Sequence, residues 1–331
     1  MSDPASTARA PLRALLETLR APLLLSPVAD VLAGWTVAAV ALSRAHPVVD
    51  WSIASDFDAL ALAAGAGCCL LAAGMAQNAL VDLPEDRLVK PERPLPSGDI
   101  RPAAVATVCM VLTLGGVLLA AAISRPLLLL SGAIVLMTLA YHLGLKRHRV
   151  PGCIALGLLR GMDLMLGATA FLSISSDVPF VAPWDAPDIW QAPLLAAGLY
   201  ALYITGASLH ASTDDEPESG RASRVGLALA GIALLLAAAT PATAAFAGTV
   251  GHVGVWIASA VVALLAILRL RNAARSLPPP AVTGVALSGL FLFDATVCLG
   301  SARWPDAVFA AVLILVLFRL SRLALRVFPP T

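Results

Sequence analysis

The sequence predicts an all-α protein that crosses a membrane as a polytopic bundle of nine to ten helices. Three observations support this prediction: 59% of the 331 residues are hydrophobic, only 13% are charged, and the apolar residues are concentrated in long runs. Roughly a quarter of the residues in an ordinary soluble domain are charged. The bilayer is therefore the expected solvent, and residues 1–331 are expected to form one integral membrane domain.

Ten apolar runs approach the ~20 residues that a helix needs to cross the hydrocarbon core. They lie near residues 22–43, 59–81, 102–123, 126–144, 152–174, 190–211, 224–246, 252–270, 281–300 and 304–325. The segment Ser124-Arg125-Pro126 is a short turn, which predicts that the third and fourth spans form an antiparallel hairpin.

The basic residues predict how the bundle is oriented. If the spans alternate in direction, eighteen of the 22 Lys and Arg residues fall on one side, three fall on the other, and only Arg160 lies inside a run. The positive-inside rule then predicts a multi-pass protein of the plasma (inner) membrane with both termini in the cytoplasm. The net charge of +1 gives no electrostatic basis for binding nucleic acid.

One polar stretch at the end of the second run has helical spacing. Asn78, Asp82 and Asp86 recur every four residues and therefore share one helix face. Oxygen ligands of this kind suit Mg²⁺, which binds one or two carboxylates and completes its coordination with waters or substrate phosphates. Pro84 removes a backbone donor, which predicts unwinding before Asp86. The alternative is a solvated helix end whose acids balance the basic residues that follow.

A second acidic cluster, residues 210–221, follows the sixth run on the same side. Two acidic clusters that face one leaflet predict two metal sites, and the alternative is a polar loop with helix-capping Asp and Ser. Between the clusters lies the basic segment 141–149. Its donors suit phosphate oxygens, and the alternative is ordinary positive-inside charge.

Together these motifs resemble the UbiA superfamily of intramembrane prenyltransferases, over residues 15–300. The residues that carry the resemblance are Asn78, Asp82, Asp86 and Arg93-Pro94-Leu95-Pro96-Ser97-Gly98, supported by Arg20-Ala21-Pro22, residues 141–147, Arg160-Gly161 and the acidic cluster before Gly220. The resemblance implies a UbiA-like helical bundle with a central cavity. It also implies a Mg²⁺-dependent enzyme that transfers a prenyl group from a polyprenyl diphosphate to a small-molecule acceptor.

From the motifs and this resemblance we assign expected roles to individual residues. The residues expected to be catalytic are Asp82, Asp86 and Asp215. The expected metal ligands are Asn78, Asp82, Asp86, Asp215 and Glu216. The residues expected to bind substrate are Asn78, Lys90, Arg93, Tyr141, Lys146, Arg147, Arg160 and Ser212.

The chain departs from the family pattern in two places. The second family motif is DxxxD, whereas Ser212 and Glu216 occupy those positions here and Asp214 and Asp215 lie between them, which puts a second metal site in question. The family usually has nine spans, and the run 304–325 is an extra C-terminal helix. Both departures point to a divergent branch of the family, such as the EboC-like one.

Four ionisable residues fall inside runs: Asp30, Arg160, Asp163 and Asp294. A charge there costs ~2.5–3.5 kcal/mol on insertion scales, so these side chains are expected to face the bundle interior or a wet cavity. Arg160 and Asp163 are three residues apart and are expected to pair. The alternative function is a catalytically degenerate lipid carrier or transporter, although transporters place ionisable groups at the midplane rather than in paired loops.

Overall fold

The computed structural model describes residues 10–46, 56–174, 182–183, 185–213, 220–240, 253–301 and 306–327. Within these ranges the regular structure is helical. The α-helices are α1 (Pro11–Thr18), α2 (Ser26–Ala45), α3 (Phe57–Val89), α4 (Pro102–Ile123), α5 (Arg125–Leu143), α6 (Arg149–Ile174), α7 (Pro187–Ala211), α8 (Gly220–Ala239), α9 (Val253–Ser276), α10 (Pro279–Ser288), α11 (Leu290–Ser301) and α12 (Asp306–Val327). Short 3₁₀ turns cover Ala21–Leu25 and Leu145–Arg147.

The ten apolar runs correspond to ten segments of the described chain that are long and apolar enough to cross a membrane. The protein is therefore an integral membrane protein with an all-helical bundle, as the sequence predicts. The ninth span differs from the others because it consists of two helices, α10 and α11, which meet at Gly289. The tenth run forms the span of α12.

Helix α3 is longer than a membrane span requires. Its 33 residues extend over about 50 Å, whereas the hydrocarbon core is about 30 Å thick. The unwinding expected at Pro84 does not occur: the helix continues to Val89, and the Lys90 amide still donates to the Asp86 carbonyl at 2.8 Å. The last turns of α3 therefore project beyond the apolar region with Asp82 and Asp86 in regular helical register.

Helix α2 forms the centre of the bundle and packs against α6 and α7. Nearly all of its residues from Ser26 to Leu42 are buried. The crossing of α2 and α6 depends on two glycines, because a Cβ on Gly34 would overlap the Leu164 carbonyl and a Cβ on Gly167 would overlap the Val31 carbonyl. Small residues allow backbones to approach this closely in membrane bundles.

Helix α12 is part of the bundle. It packs against α11 and against the 3₁₀ turn that precedes α2, and the Ser321 hydroxyl donates to the Pro22 carbonyl at 2.9 Å. The C-terminal part of α12 therefore lies at the end of the bundle where α3 and α5 also end. We call this the basic end, because it carries Arg93 and Lys146.

Candidate active site

The polar side chains of α3 form an acidic face near the basic end, which we define as Asn78, Asp82 and Asp86. Asp86 is buried, with 8% of its surface exposed, and Asp82 is half-buried. The neighbouring Glu85, by contrast, is exposed. The four-residue spacing therefore places both aspartates against the protein rather than in open solvent.

Arg93 is the direct partner of Asp86. Its Nη1 atom donates to both carboxylate oxygens of Asp86, at 2.8 and 2.7 Å. The loop after α3 makes this possible because it turns back on the helix: the Ser97 amide donates to the Arg93 carbonyl at 2.9 Å, and Gly98 adopts a positive φ of 86°. Leu95 anchors the loop, since it is buried in a small apolar cluster with Leu19.

Lys146 forms an ion pair with the other aspartate of the acidic face, Asp82. It lies in the 3₁₀ turn between α5 and α6 and is 64 residues away from Asp82 in the chain. Tyr141, in the last turn of α5, lies within electrostatic range of Asp82 and of Arg20. The end of α5 and the turn that follows it therefore contribute donors to the same site as α3.

Arg20 brings a third cation to the site from the turn between α1 and α2. Its backbone is left-handed, with φ 49° and ψ 50°, a conformation that costs roughly 1–2 kcal/mol for a non-glycine residue. Burial of the guanidinium lowers the pKa of Arg20, as does Arg93 nearby, whereas Asp86 and Asp82 raise it. Part of the side chain remains exposed to solvent. The residue nevertheless stays charged, because guanidinium is not deprotonated in proteins.

A small open cavity of about 40 Å³ lies between α1, α3 and the loop after α3. The residues that line it are Glu17, Thr18, Arg20, Met75, Asn78, Ala79, Asp86, Arg93, Pro94, Leu95 and Pro96. Glu17 also accepts a hydrogen bond from Arg13 Nε at 2.8 Å. Motif spacing did not identify Glu17 or Thr18 as site residues. The sequence feature that could have identified them is the apolar pair Leu15 and Leu19. These two side chains pack α1 onto α3 and so bring Glu17 and Thr18 to the site.

The remaining predicted site residues form no ion pair with Asp82 or Asp86 in the described part of the chain, or lie outside it. The side chains of Lys90 and Arg147 make no ion pair with Asp82 or Asp86 in the described part of the chain. Ser212 lies at the C-terminal end of α7, where its hydroxyl donates to the Leu209 carbonyl at 2.8 Å. The same side chain lies beside Cys153 of α6. Cys153 is in turn close to Tyr141, so Ser212 lies near the end of α5. Two of the expected metal ligands lie outside the described residues, namely Asp215 and Glu216.

Arg160 lies in the bundle interior, where it joins four helices in a polar network. It forms ion pairs with Asp30 of α2 and with Asp163, its Nη2 donates to Ser26 Oγ at 2.9 Å, and the Tyr200 hydroxyl of α7 donates to Asp30 at 2.6 Å. The predicted pairing with Asp163 is confirmed at 2.8 Å. Asp294 of α11 completes the network beside Asp30 and is fully buried.

The donor set of the acidic face fits Mg²⁺. Two carboxylates and an amide oxygen share one helix face, and Mg²⁺ needs only one or two protein carboxylates when substrate phosphates and waters supply its other ligands. No group of three His, Cys, Asp or Glu side chains that could enclose a metal occurs among the described residues. The arrangement is thus suited to a cation shared with an anionic ligand, and Arg93, Lys146 and Arg20 stand beside it to contact that ligand.

Comparison with known proteins agrees with this arrangement. A sequence model of the UbiA prenyltransferase family matches residues 33–281. The chain is 30% identical over 188 residues, 54% of its length, to the digeranylgeranylglyceryl phosphate synthase of Methanothrix thermoacetophila, of which the match covers 66%. It is 32% identical over 149 residues, 43% of its length, to the protoheme IX farnesyltransferase of Methylorubrum populi, of which the match covers 45%. The chain thus spans less than two thirds of each of these relatives.

The fold is also similar to that of a solved structure. The apo structure of a UbiA homolog from Aeropyrum pernix K1 superimposes with a TM-score of 0.61 over 84% of this chain and 97% of that chain, at 20% identity. At this level of identity the likeness concerns the fold.

Proposed function

The chain belongs to the UbiA prenyltransferase family, and from this premise we propose that it transfers a prenyl group from a polyprenyl diphosphate to an acceptor within the membrane, with Mg²⁺ as cofactor. One observation carries the proposal. Asp82 and Asp86 lie on one face near the end of α3, and each is in ionic contact with a cation, Lys146 or Arg93, that suits a phosphate oxygen.

The reaction requires heterolysis of an allylic C–O bond, in which the electron pair leaves with the diphosphate. Bound at Asn78, Asp82 and Asp86, Mg²⁺ would supply charge neutralisation for that leaving group. Arg93 and Lys146 contribute guanidinium and ammonium donors to the same negative charge as it develops. The apolar spans hold the prenyl chain, whose carbon skeleton needs only an apolar environment.

Other residues complete the proposed site. Arg20, Lys90, Tyr141 and Arg147 lie at or near the basic end and provide further donors for the diphosphate. Ser212, Asp215 and Glu216 represent the altered second acidic motif, which contributes a weaker second cation site. We further propose that the basic end faces the cytoplasm of a cell with the protein in its plasma (inner) membrane, because eighteen of the 22 Lys and Arg residues fall on that side.

The names of the relatives support prenyl transfer, but they do not indicate a single acceptor. One is named for a digeranylgeranylglyceryl phosphate product and the other for farnesyl transfer to protoheme IX. These names share a prenyl group and differ in the acceptor. The proposal therefore specifies an isoprenoid donor and a membrane-accessible small-molecule acceptor class.

The direct test is diphosphate release from geranylgeranyl diphosphate by the purified full chain, with extracted membrane lipids as the source of acceptor. We expect release to require Mg²⁺ and to fall by about 10²-fold or more in Asp82→Asn and Asp86→Asn. The matched control is Glu85→Gln, which removes an exposed acid from the same stretch of α3. Equal activity in wild type and both aspartate variants would refute the proposed roles.

A second candidate function is a lipid or isoprenoid carrier with the same fold. The observations that favour it are the interior network around Arg160 and the division of the ninth span at Gly289, since transporters use midplane ionisable groups and discontinuous helices. Thermal stabilisation by geranylgeranyl diphosphate separates the two functions. The enzyme requires Mg²⁺ for stabilisation and turns over, whereas a carrier binds without the metal and releases no diphosphate.

A further inference from the structure

Two arginines from different spans converge on one aromatic ring at the basic end. The guanidinium carbon of Arg269, on α9, lies 5.2 Å from the centroid of the Phe318 ring, and that of Arg322 lies 6.0 Å from the same centroid. Phe318 and Arg322 belong to α12, where they are four residues apart and share a helix face. Both arginines lie within about two turns of the ends of their helices.

Arg269 is held in place by a neighbouring hydroxyl. Its Nη2 atom donates to Ser288 Oγ at 3.0 Å, and that hydroxyl in turn donates to the Val285 carbonyl at 2.9 Å. Ser288 is the last residue of α10, beside the division of the ninth span. The half-buried Arg269 therefore has a defined direction, which an unconstrained surface arginine lacks.

The pair has no acidic partner within the described ranges. The charged or ionisable neighbours that act on Arg269 are Arg322 and Tyr203, and neither arginine forms an ion pair with a carboxylate there. Two guanidiniums close to one ring repel each other, and each retains several N–H donors. Interaction with the ring face offsets only part of this cost. An anion bound to both guanidiniums would balance their charge and accept hydrogen bonds from their remaining N–H donors.

The surroundings fit an amphiphilic anion. Both helices carry exposed apolar side chains near this pair, namely Leu264, Leu265 and Leu268 of α9 and Val316, Leu320 and Leu323 of α12. Leu265 lies one turn from Arg269 on the same helix face. In a membrane protein such surfaces contact acyl chains. A ligand that carries a phosphate beside acyl chains matches both the charged and the apolar parts of this surface.

We infer that Arg269 and Arg322, which both contact the ring of Phe318, form a binding site for the phosphate of an anionic phospholipid in the leaflet at the basic end. Guanidinium is the side chain best suited to a phosphate because its planar donors match two oxygens at once. Basic pockets between spans on the positively charged side of membrane proteins recognise anionic headgroups by this chemistry. The site is separate from the acidic face and does not depend on prenyl transfer.

The test uses the full chain in neutral detergent, with native mass spectrometry as the readout and no prenyl substrate present. The probes are phosphatidylglycerol, phosphatidylcholine and inorganic phosphate. We expect phosphatidylglycerol to bind more tightly than phosphatidylcholine, and Arg269→Gln or Arg322→Gln each to weaken its binding roughly tenfold. Phosphatidylcholine binding should not change, which also shows that the variants remain folded.

The matched control is Arg326→Gln, which removes the same charge from the exposed next turn of α12. It should alter phosphatidylglycerol binding less than twofold. The inference is overturned if the Arg269 and Arg322 variants bind phosphatidylglycerol as wild type does, or if Arg326→Gln weakens binding equally, which would indicate general surface charge. Displacement of the lipid by equimolar inorganic phosphate would also overturn it, because the site would then be one for soluble anions.

Discussion

A single nitrogen of Arg93 donates to both carboxylate oxygens of Asp86, at 2.8 and 2.7 Å, although seven residues separate the two in the chain. Both partners are largely removed from solvent, with 17% of the Arg93 side chain and 11% of the Asp86 side chain exposed. The same carboxylate is the proposed ligand of a divalent cation. In the proposed reaction, Arg93 would compete with Mg²⁺ for Asp86 and would also attract the diphosphate that accompanies the metal.

The first prediction follows from this double role. In Arg93→Gln, the KM for a prenyl diphosphate should rise by about 10- to 10²-fold, because a charge-assisted hydrogen bond contributes roughly 1.5–3 kcal/mol. The Mg²⁺ concentration for half-maximal activity should fall, because Asp86 no longer carries a competing guanidinium. Both changes can be checked by measuring activity while the concentrations of prenyl diphosphate and Mg²⁺ are varied independently. Arg87→Gln, an exposed change of equal charge on the last turn of α3, should produce neither shift.

The second prediction separates two adjacent cations. Lys146 pairs with Asp82, whereas Arg147 makes no such contact, so Lys146→Gln should lower kcat/KM for the prenyl diphosphate at least tenfold and Arg147→Gln much less. Steady-state kinetics of the two variants at fixed Mg²⁺ provides the measurement. Equal losses in both variants would mean that the turn supplies charge without a specific contact.

The third prediction concerns the left-handed backbone of Arg20. Glycine adopts this conformation without the steric cost that alanine incurs, so Arg20→Gly should be more stable than Arg20→Ala by about 1 kcal/mol. Both variants should bind prenyl diphosphate equally weakly, because both lack the guanidinium. Thermal unfolding in detergent and ligand-induced stabilisation test the two statements. Identical stabilities would show that the turn relaxes when the side chain is removed.

The fourth prediction concerns the interior network. Arg160→Leu should destabilise the protein by about 3–5 kcal/mol, because it leaves Asp30 and Asp163 buried without their cation. Tyr200→Phe removes one hydrogen bond to Asp30 and should cost about 1–3 kcal/mol. Thermal unfolding measures both effects. If Arg160 also contacts substrate, Arg160→Leu should raise KM while Tyr200→Phe does not, which separates that role from a purely structural one.

The fifth prediction tests the crossing of α2 and α6. Gly34→Ala places a Cβ against the Leu164 carbonyl, a backbone atom that cannot rotate away, and should cost at least about 1–3 kcal/mol. Gly132→Ala is the control, since no atom lies within 4 Å of the added Cβ at that helical glycine. Comparable unfolding temperatures for the two variants would contradict the close approach.

The sequence predicts the spans and the acidic face well because both depend on local patterns. A run of apolar residues defines a span, and the four-residue spacing of Asn78, Asp82 and Asp86 places them together on any regular helix. The extension of α3 through Pro84 was not predicted, because loss of one hydrogen bond near a helix end is offset by the packing of Leu83 in the cluster with Leu95. Local rules alone do not include that contact.

Contacts between distant residues could not be predicted from spacing. Lys146 and Arg147 are adjacent in the sequence and both are cationic. The conformation of the turn after α5 places Lys146, and not Arg147, in contact with Asp82. Arg160 was expected to pair with Asp163 on its own helix, whereas its contact with Asp30 requires the crossing of α2 and α6. The division of the ninth span into two helices could not be predicted either, because the apolar run continues without interruption through Gly289.

The hydrogen bond from Ser321 to Pro22 joins positions 299 residues apart. During synthesis, the turn that carries Arg20 is made before α12, and nine candidate spans of the described chain precede α12. The turn therefore gains this hydrogen bond only after those nine spans have been made. Completion of the turn that carries Arg20 is thereby deferred until α12 has entered the bilayer.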